Sequence, residues 1–144
     1  MKLLIINGPN LNRLGVREPE VYGTLTYADL KTQLTEFGNH LGVTLLMRQT
    51  NHEGVIIDWL HDAEASCDGI LLNAGALTHY SYAIYDAIKS ISTPVVEVHL
   101  TDLTSRIEVF RHTSVIASAC IQTFSGLGFD SYKAGIEFLI KDVK

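Results

Sequence analysis

The sequence KLLIINGPNLNRLGVREPEVYG, residues 2–23, decides the fold of this chain. Residues 2–6 have the apolar character of a strand that is buried in a sheet. Residues 7–23 are polar, are punctuated by glycine and proline, and are far longer than an ordinary strand-to-helix connection. We therefore predict a buried strand followed by a shaped loop that carries function.

The rest of the chain alternates segments of helical and strand periodicity. Thr26 and Asp29 form a capping pair at the start of the first helix, and Gly42 ends that helix. The predicted helices cover residues 26–41, 53–66, a stretch ending near 91, 105–111 and a C-terminal segment that includes 132–143. Further strands are predicted at residues 43–47, 70–72, 95–99 and near 119–123.

Apolar strands separated by helices predict an α/β fold with a parallel sheet covered on both faces. Five strands without a long interruption favour a flavodoxin-like three-layer sandwich with strand order 2-1-3-4-5. Residues 1–144 are expected to form a single domain, because no linker or repeat divides them. In such sheets ligands bind beyond the carboxyl ends of the strands.

Composition excludes several classes of partner. The net charge is -5 and no run of Lys or Arg occurs, which argues against nucleic acid and against anionic membrane surfaces. The apolar run at the N-terminus is too short for a signal peptide, and no segment has transmembrane length, so we expect a cytoplasmic protein. Cys67 and Cys120 lack metal or redox spacing and are expected to be reduced core residues.

Cofactor motifs are absent from the sequence. No strand-to-helix turn carries GxGxxG or GxxxxGK[ST], and no GxSxG elbow provides a serine nucleophile. His, Cys and Asp residues show no ligand spacing for a metal. We therefore expect neither a cofactor nor a metal.

Proton transfer is the chemistry that the remaining residues favour. Glu97 and His99 are two positions apart at the end of a predicted strand, so they face the same side, and a carboxylate beside an imidazole suits a general acid. A buried ion pair that serves packing is the alternative. Tyr22 becomes a plausible base only if a cation such as Arg17 stabilises its phenolate, and otherwise it is a simple loop contact.

Polar residues at other strand exits add candidates for substrate binding. Asn10 and Asn73 can orient a hydroxyl, a carbonyl or a water, or they can serve only the turns in which they lie. Arg106 and Arg111 could each bind a carboxylate in bidentate fashion, or could be solvated surface residues.

One helical face in the middle of the chain is polar. At 100° per residue, His79, Tyr82 and Asp86 fall together, roughly opposite the apolar stripe of the same helix. Asp86 should therefore point away from the core of its own chain, and a solvated helix face is the simplest interpretation.

Three motifs carry a resemblance to a known family. The segments NGPNLNRLGVREPEVYG (7–23), LLNAGALTHYSYAIYDAI (71–88) and VVEVHLTD (95–102), in this order and spacing, closely resemble type II 3-dehydroquinate dehydratase, the type II dehydroquinase of the shikimate pathway. The resemblance implies anti elimination of water from 3-dehydroquinate to give 3-dehydroshikimate, in aromatic amino-acid biosynthesis or quinate breakdown. It also implies that no cofactor or metal takes part.

The resemblance implies catalytic roles residue by residue. Tyr22 matches the base that removes the proton next to the ketone, and Arg17 matches the residue that lowers its pKa. Asn10 matches the residue that holds a water near the enolate oxygen. His99 matches the acid for the departing hydroxyl, and Glu97 orients it.

The substrate contacts implied by the resemblance lie at other strand exits. Leu100 and Thr101 bind the carboxylate through backbone amides and a hydroxyl, while Asn73, His79 and Arg111 match further contacts. The family usually reads close to SNxHAREEFR after VHL, whereas residues 101–111 read TDLTSRIEVFR and are one residue longer. Arg111 keeps the phenylalanine neighbour and Arg106 keeps the distance from His99, so Arg111 is the first candidate for the clamp and Arg106 is the alternate.

The resemblance further implies a homo-dodecamer built from four trimers, with Asp86 reaching the site of a neighbouring subunit. Two alternatives stay open from the residues alone. One is a flavodoxin-like protein that binds a small ligand without turnover, and the other is a lyase for a related cyclic hydroxy-acid.

Overall fold

A five-stranded parallel sheet organises the chain, and its strand order is β2-β1-β3-β4-β5. The computed structural model describes residues 1–16 and 18–143, with the side chains of Val21 and Tyr22 outside that description. The strands are β1 (Lys2–Asn7), β2 (Thr44–Gln49), β3 (Gly69–Asn73), β4 (Val95–Val98) and β5 (Gln122–Phe124). The helices are α1 (Pro19–Tyr22), α2 (Tyr27–Leu41), α3 (Glu53–Ala63), α4 (Tyr82–Lys89) and α5 (Asp130–Asp142). The predicted fold class and strand order are confirmed.

Apolar side chains cover both faces of the sheet. Leu3, Ile5 and Leu71 pack on one face with α2 and α5, while Leu4, Ile6 and Leu72 pack on the other with α3 and α4. Alternate residues of one strand enter different cores, as strand geometry requires. Burial on both faces explains why these strands are apolar throughout.

Local signals at the first long helix act as predicted. The Thr26 hydroxyl accepts from the Asp29 amide, and the Asp29 carboxylate accepts from the Thr26 amide, which completes a capping box. Gly42 ends α2 in the left-handed region at φ 71°.

The predicted helix at 105–111 does not form. Two short 3₁₀ turns, Leu103–Ser105 and Val109–His112, take its place. Asp102 accepts from the amide and hydroxyl of Thr104, at 3.0 and 2.8 Å, and the Ser105 hydroxyl donates to the Asp102 carbonyl. These local side-chain bonds compete with an α-helix for the same backbone groups.

The last strand begins later than its sequence pattern indicates. A 3₁₀ turn occupies Ala117–Ala119, and β5 covers only Gln122–Phe124. The Ser114 hydroxyl accepts from the Ala117 amide at 3.1 Å and so stabilises that turn. Ala119 and Cys120 are partly buried against the core that includes α3 and α4, and they do not extend the strand.

The carboxyl ends of β1 and β3 approach each other closely. The Gly8 amide donates to the Asn73 carbonyl at 2.7 Å, and a Cβ atom at Gly8 would lie 2.6 Å from the Ala74 carbonyl oxygen. Gly75 has φ +59°, and a Cβ there would lie 2.8 Å from the Pro9 carbonyl oxygen. Glycine is needed at both positions for this close approach.

Within the described residues, no helix combines the length and apolar character needed to cross a bilayer.

Candidate active site

A cleft that is open to solvent, with about 610 Å³ of space in and above it, lies beyond the carboxyl ends of β1, β3 and β4. Its location is the one where open parallel sheets bind ligands. The structure brings together eight of the residues singled out in the sequence: Asn10, Asn73, His79, His99, Leu100, Thr101, Arg106 and Arg111. Residues distant in the sequence thus surround one cavity.

His99 lines the cleft, and the buried Glu97 contacts it without lining the cleft itself. His99 follows β4 and is 5% exposed, and Glu97 within β4 is fully buried. His99 Nε2 lies 2.9 Å from Glu97 Oε2, as their spacing on one strand face predicts. The geometry at Nε2 does not meet that of a hydrogen bond, so the contact is a close approach of the imidazole ring to the carboxylate. A general acid needs this arrangement, in which a carboxylate favours the protonated imidazole.

Hydrogen bonds hold the Glu97 carboxylate in one orientation. Ser114 Oγ donates to Glu97 Oε2, and Thr123 Oγ1 donates to Glu97 Oε1 at 2.9 Å. Burial raises the pKa of Glu97, but the contact with His99 and its charge, together with both hydroxyls, keep that pKa below its usual value. Glu97 is therefore an anion at neutral pH despite its burial.

The orientation of His79 is set by the backbone. His79 Nδ1 lies 2.8 Å from the Thr113 carbonyl, which can only accept, so Nδ1 carries a proton. Burial lowers the pKa of His79, and the charges of Arg111 and His99 add to this effect. A neutral His79 has Nε2 free of a proton and able to accept a hydrogen bond from a hydroxyl group.

Both candidate arginine clamps line the cleft. Arg111 Nε lies 3.4 Å from Glu108, and its guanidinium lies 4.8 Å from the centre of the Phe110 ring. The Phe110 ring in turn meets His79 edge to face at 5.8 Å. Arg106 is 9% exposed and lies 3.6 Å from Glu18, which immediately precedes α1. The two arginines thus contact different segments around the cleft.

Asn10 occupies an unusual backbone conformation. It has φ 69° in the left-handed region, and its amide donates to Asn51 Oδ1 at 3.0 Å. Gln49 Nε2 donates to that same Asn51 oxygen at 3.0 Å and to the Gly8 carbonyl at 3.2 Å. The exit of β2 therefore supports the exit of β1.

A buried tyrosine connects two strand exits beneath the cleft. Asn73 Nδ2 donates to the Tyr132 hydroxyl at 2.9 Å, and that hydroxyl donates to Asn7 Oδ1 at 2.6 Å. Asn73 Oδ1 accepts from the Gly75 amide at 3.2 Å. All three side chains are at least 96% buried, since their exposed fractions are 0% for Asn7 and Tyr132 and 4% for Asn73.

Sequence reasoning missed the residues that support the site. Tyr132 lies in the predicted C-terminal helix without a role in the site, and no role is predicted for Gln49, Ser114 or Thr123. Gln49 and Asn51 are polar residues that follow the predicted strand at 43–47, and this position was the available signal for them. Ser114 and Thr123 had no such signal, because their partner Glu97 lies 17 and 26 residues away.

Four predicted residues lie outside the cleft lining or outside the description, and one of them is the buried Glu97 already described. Arg17 lies outside the described residues, and so does the side chain of Tyr22, although α1 itself runs over Pro19–Tyr22. Asp86 is exposed on α4, as its helical position predicts, and does not line the cleft. Tyr82 on the same helix is 69% exposed.

The two cysteines form no disulfide. Burial and the charge of Glu97 raise the pKa of the Cys120 thiol to about 12. Cys120 is therefore protonated and a poor nucleophile.

Comparisons with known proteins match the chain over nearly its whole length. The family model described as dehydroquinase class II matches residues 1–140. The 3-dehydroquinate dehydratase of Bacillus subtilis is 54% identical over 137 residues, which cover 95% of this chain and 92% of the relative. That of Anoxybacillus flavithermus is 50% identical and covers 100% of this chain and 97% of its own.

Solved structures give the same grouping. The type II dehydroquinase from Butyrivibrio crossotus superposes with a TM-score of 0.95 at 43% identity, covering 97% of each chain. A 3-dehydroquinate dehydratase-like protein from Bifidobacterium longum gives a TM-score of 0.74 at 28% identity, covering 100% of this chain and 98% of the other.

Proposed function

Because the chain belongs to the class II dehydroquinase family, we propose that it is a hydro-lyase that converts 3-dehydroquinate to 3-dehydroshikimate through an enolate. The observation that carries the proposal is the His99–Glu97 pair at the wall of a cleft that polar groups surround. Residues 1–144 act as one catalytic domain, and no cofactor or metal takes part in the proposed reaction.

Removal of the proton is assigned to the loop before α2. In this proposal Tyr22 Oη, as phenolate, takes the proton from the carbon next to the ketone. Arg17 lowers the pKa of Tyr22, because a cation beside a phenol favours its ionised form. Asn10 holds a water near the ketone oxygen, where charge develops as the enolate forms. Family resemblance supports all three roles, and the position of Asn10 in the cleft wall agrees with its role.

Departure of the hydroxyl is assigned to His99. The carbon–oxygen bond breaks as the enolate collapses, and His99 gives its proton to the leaving oxygen, so that one water is released for each proton removed by Tyr22. Since His99 Nε2 faces Glu97, Nδ1 is the nitrogen assigned to this transfer. Transfer of the proton from Tyr22 back to His99, through water, completes the cycle.

Substrate binding is assigned to the rest of the cleft wall. Leu100 and Thr101 hold the carboxylate with backbone amides and the threonine hydroxyl. His79 Nε2 accepts from a ring hydroxyl, which fits its neutral state. Asn73 is assigned a polar contact from the floor of the cleft. Arg111 is the first choice for a clamp on the ring hydroxyls, and Arg106 is the alternative.

The proposed oligomeric state is a dodecamer of four trimers, and the proposed location is the cytoplasm. Asp86 would complete the site of a neighbouring subunit, a role supported by its exposure on α4 beside exposed Tyr82. Asp86→Ala should reduce turnover about 10-fold, the scale of one lost charge-assisted contact. Sedimentation would report whether assembly persists, and unchanged assembly together with unchanged turnover would contradict this role.

The direct test is the formation of product. Purified protein mixed with 3-dehydroquinate should generate the ultraviolet absorbance of a conjugated enone. A folded oligomer that binds 3-dehydroquinate without producing the enone would instead indicate a non-catalytic binding protein. Turnover only of other cyclic hydroxy-acids would indicate a related lyase. The binding-protein alternative draws support only from the altered segment 101–111, yet both arginines of that segment line the cleft.

A further inference from the structure

The hydrogen bonds beneath the cleft have a single direction. The Gly75 amide can only donate, so the atom of Asn73 that it meets is the carbonyl oxygen Oδ1. The Asn73 Nδ2 group is thereby turned toward Tyr132, whose oxygen accepts from it. The one proton of the Tyr132 hydroxyl is left for Asn7 Oδ1. The Gly75 amide thus determines which end of the Asn73 amide faces Tyr132, and the Tyr132 hydroxyl links Asn73 to Asn7.

The Tyr132 hydroxyl stays a hydrogen-bond donor to Asn7 at neutral pH. Burial raises the pKa of Tyr132, although the hydrogen bond from Asn73 opposes that increase. The phenol therefore remains protonated and donates to Asn7. Tyr132 itself does not line the cleft, whereas Asn73 does.

The three partners come from three parts of the fold. Asn7 and Asn73 face each other in register at the ends of β1 and β3, and Tyr132 rises from α5 on the far side of the core. A phenylalanine would fill the same apolar space, because the ring packs among Leu3, Leu71 and Ile136. The hydroxyl is therefore not needed to fill the core, and its removal would leave Asn73 Nδ2 without its buried partner.

We propose that Tyr132 is a positioning residue for substrate binding: its buried hydroxyl holds the Asn73 amide in the orientation in which that amide contacts the substrate. The proposal rests on the proposed function, since it assigns the substrate contact to Asn73. It extends that function to a residue that touches no substrate and lies on the last helix.

Steady-state kinetics provide the first test. Tyr132→Phe should raise KM for 3-dehydroquinate about 10-fold, with kcat changed less than about 2-fold, because the contact is made equally in the ground and transition states. Tyr85→Phe is the matched control, since Tyr85 is half-buried in the other core and distant from the cleft. It should leave both constants at their wild-type values.

A double-mutant cycle separates positioning from a general effect on structure. If Tyr132 acts through Asn73, adding Tyr132→Phe to Asn73→Ala should not raise KM beyond the value of Asn73→Ala alone. A further 10-fold increase in that background would overturn the proposal, and so would a folded Tyr132→Phe enzyme with wild-type KM. If Tyr132→Phe does not fold, Asn7→Ala tests the same hydrogen bonds one step further on. That variant should raise KM about 3-fold, and an unchanged KM would overturn the proposal.

A crystal structure of Tyr132→Phe distinguishes failure of this proposal from failure of the proposed function. The Asn73 amide should be turned or displaced relative to the wild-type crystal and to the Tyr85→Phe crystal. This result is expected even if the wild-type protein does not dehydrate 3-dehydroquinate. An unmoved amide overturns the positioning role, whereas a wild-type protein without turnover overturns the function.

Discussion

Two regions that border the cleft are built in opposite ways. The floor consists of Asn7, Asn73, Glu97, His99 and Tyr132, all of which are at least 95% buried. The rim consists of residues 10–25 and 101–112, in which the helical pieces are 3₁₀ turns and the four-residue helix α1. Sheet pairing fixes the backbone at Asn7, Asn73 and Glu97. Short turns and an ion pair hold the rim.

The proposed acid and the proposed base have surroundings that are held in place in different ways. In the floor, the Glu97 oxygens have hydroxyl donors and the two asparagines share one phenol, so the polar groups are oriented before substrate arrives. In the rim, Arg106 and Glu18 join the two rim segments at 3.6 Å, and Ile107 is 95% exposed. The proposed acid thus lies in the buried floor, whereas the proposed base lies in the short helix α1 of the rim.

The largest expected effect comes from the rim. Tyr22→Phe removes the proposed base and should lower kcat about 10³-fold or more, within the range of general base catalysis. Enone formation under saturating substrate measures it. Tyr80→Phe, at a 62% exposed tyrosine, is the control and should retain activity. Full activity in Tyr22→Phe would show that another group removes the proton.

The corresponding change in the floor should be smaller. His99→Gln removes the acid, but water in the open cleft can protonate the departing hydroxide, so kcat should fall about 10²-fold. The substitution should leave KM nearly unchanged if His99 acts only in the transition state. A loss as large as that of Tyr22→Phe would show that the two regions contribute equally.

The close packing of the strand exits can be tested by adding one methyl group at Gly8. Gly8→Ala would place Cβ 2.6 Å from the Ala74 carbonyl oxygen, so the strand exits must separate. We expect a decrease of about 2 kcal/mol in the free energy of unfolding, typical of overpacking. Gly54→Ala in α3 meets no atom within 4 Å and should stabilise by about 0.5 kcal/mol. Equal effects at the two glycines would contradict the tight floor.

The two arginines of the rim can be ranked by binding. Arg111→Ala should raise KM about 10-fold through loss of a charge-assisted contact with the substrate. Arg106→Ala should change KM less, because this arginine contacts Glu18 across the rim. Comparison of the two KM values measures the ranking. The reverse order would assign the clamp to Arg106.

The smallest expected effect is a pH dependence of stability. The pKa of Glu97 is held below its usual value of 4.5 in the folded chain and returns to an ordinary value on unfolding. Its contribution to the free energy of unfolding is therefore complete above the unfolded pKa and is lost as the pH falls through the folded pKa.

Denaturant unfolding from pH 7 to pH 3 measures this dependence. Glu97→Gln should show a shallower loss of stability below about pH 5 than the wild type does. Glu36→Gln, on the exposed face of α2, is the matched control and should follow the wild-type curve. Identical curves for all three proteins would contradict the role of the floor hydroxyls.

The sequence was sufficient for the sheet and for the residues at its strand exits. Apolar strands and helical spacing predicted the strand order, and the two-residue spacing of Glu97 and His99 predicted their contact. These features depend on local periodicity, which a sequence displays directly. The exposed position of Asp86 followed from the same periodicity.

The remaining features depend on long-range partners or on local competition. The role of Tyr132 depends on amides 59 and 125 residues away, which no local pattern reveals. Segment 105–111 has helical composition, but the side chain of Asp102 and the Ser105 hydroxyl favour a tight turn at its start. Helical propensity is a weak prior, and here the local hydrogen bonds decide the outcome.

The bond between Tyr132 and Asn7 also determines when the site can be completed during synthesis. It joins residues 125 positions apart, and the chain has 144 residues. Domains are made from the N-terminus at about 5–20 residues per second, so both strand exits leave the ribosome well before the phenol that links them. A nascent chain that stops short of α5 can contain every residue that lines the cleft and still lack the phenol that links Asn7 to Asn73. This buried link is therefore completed only after the last helix has been made.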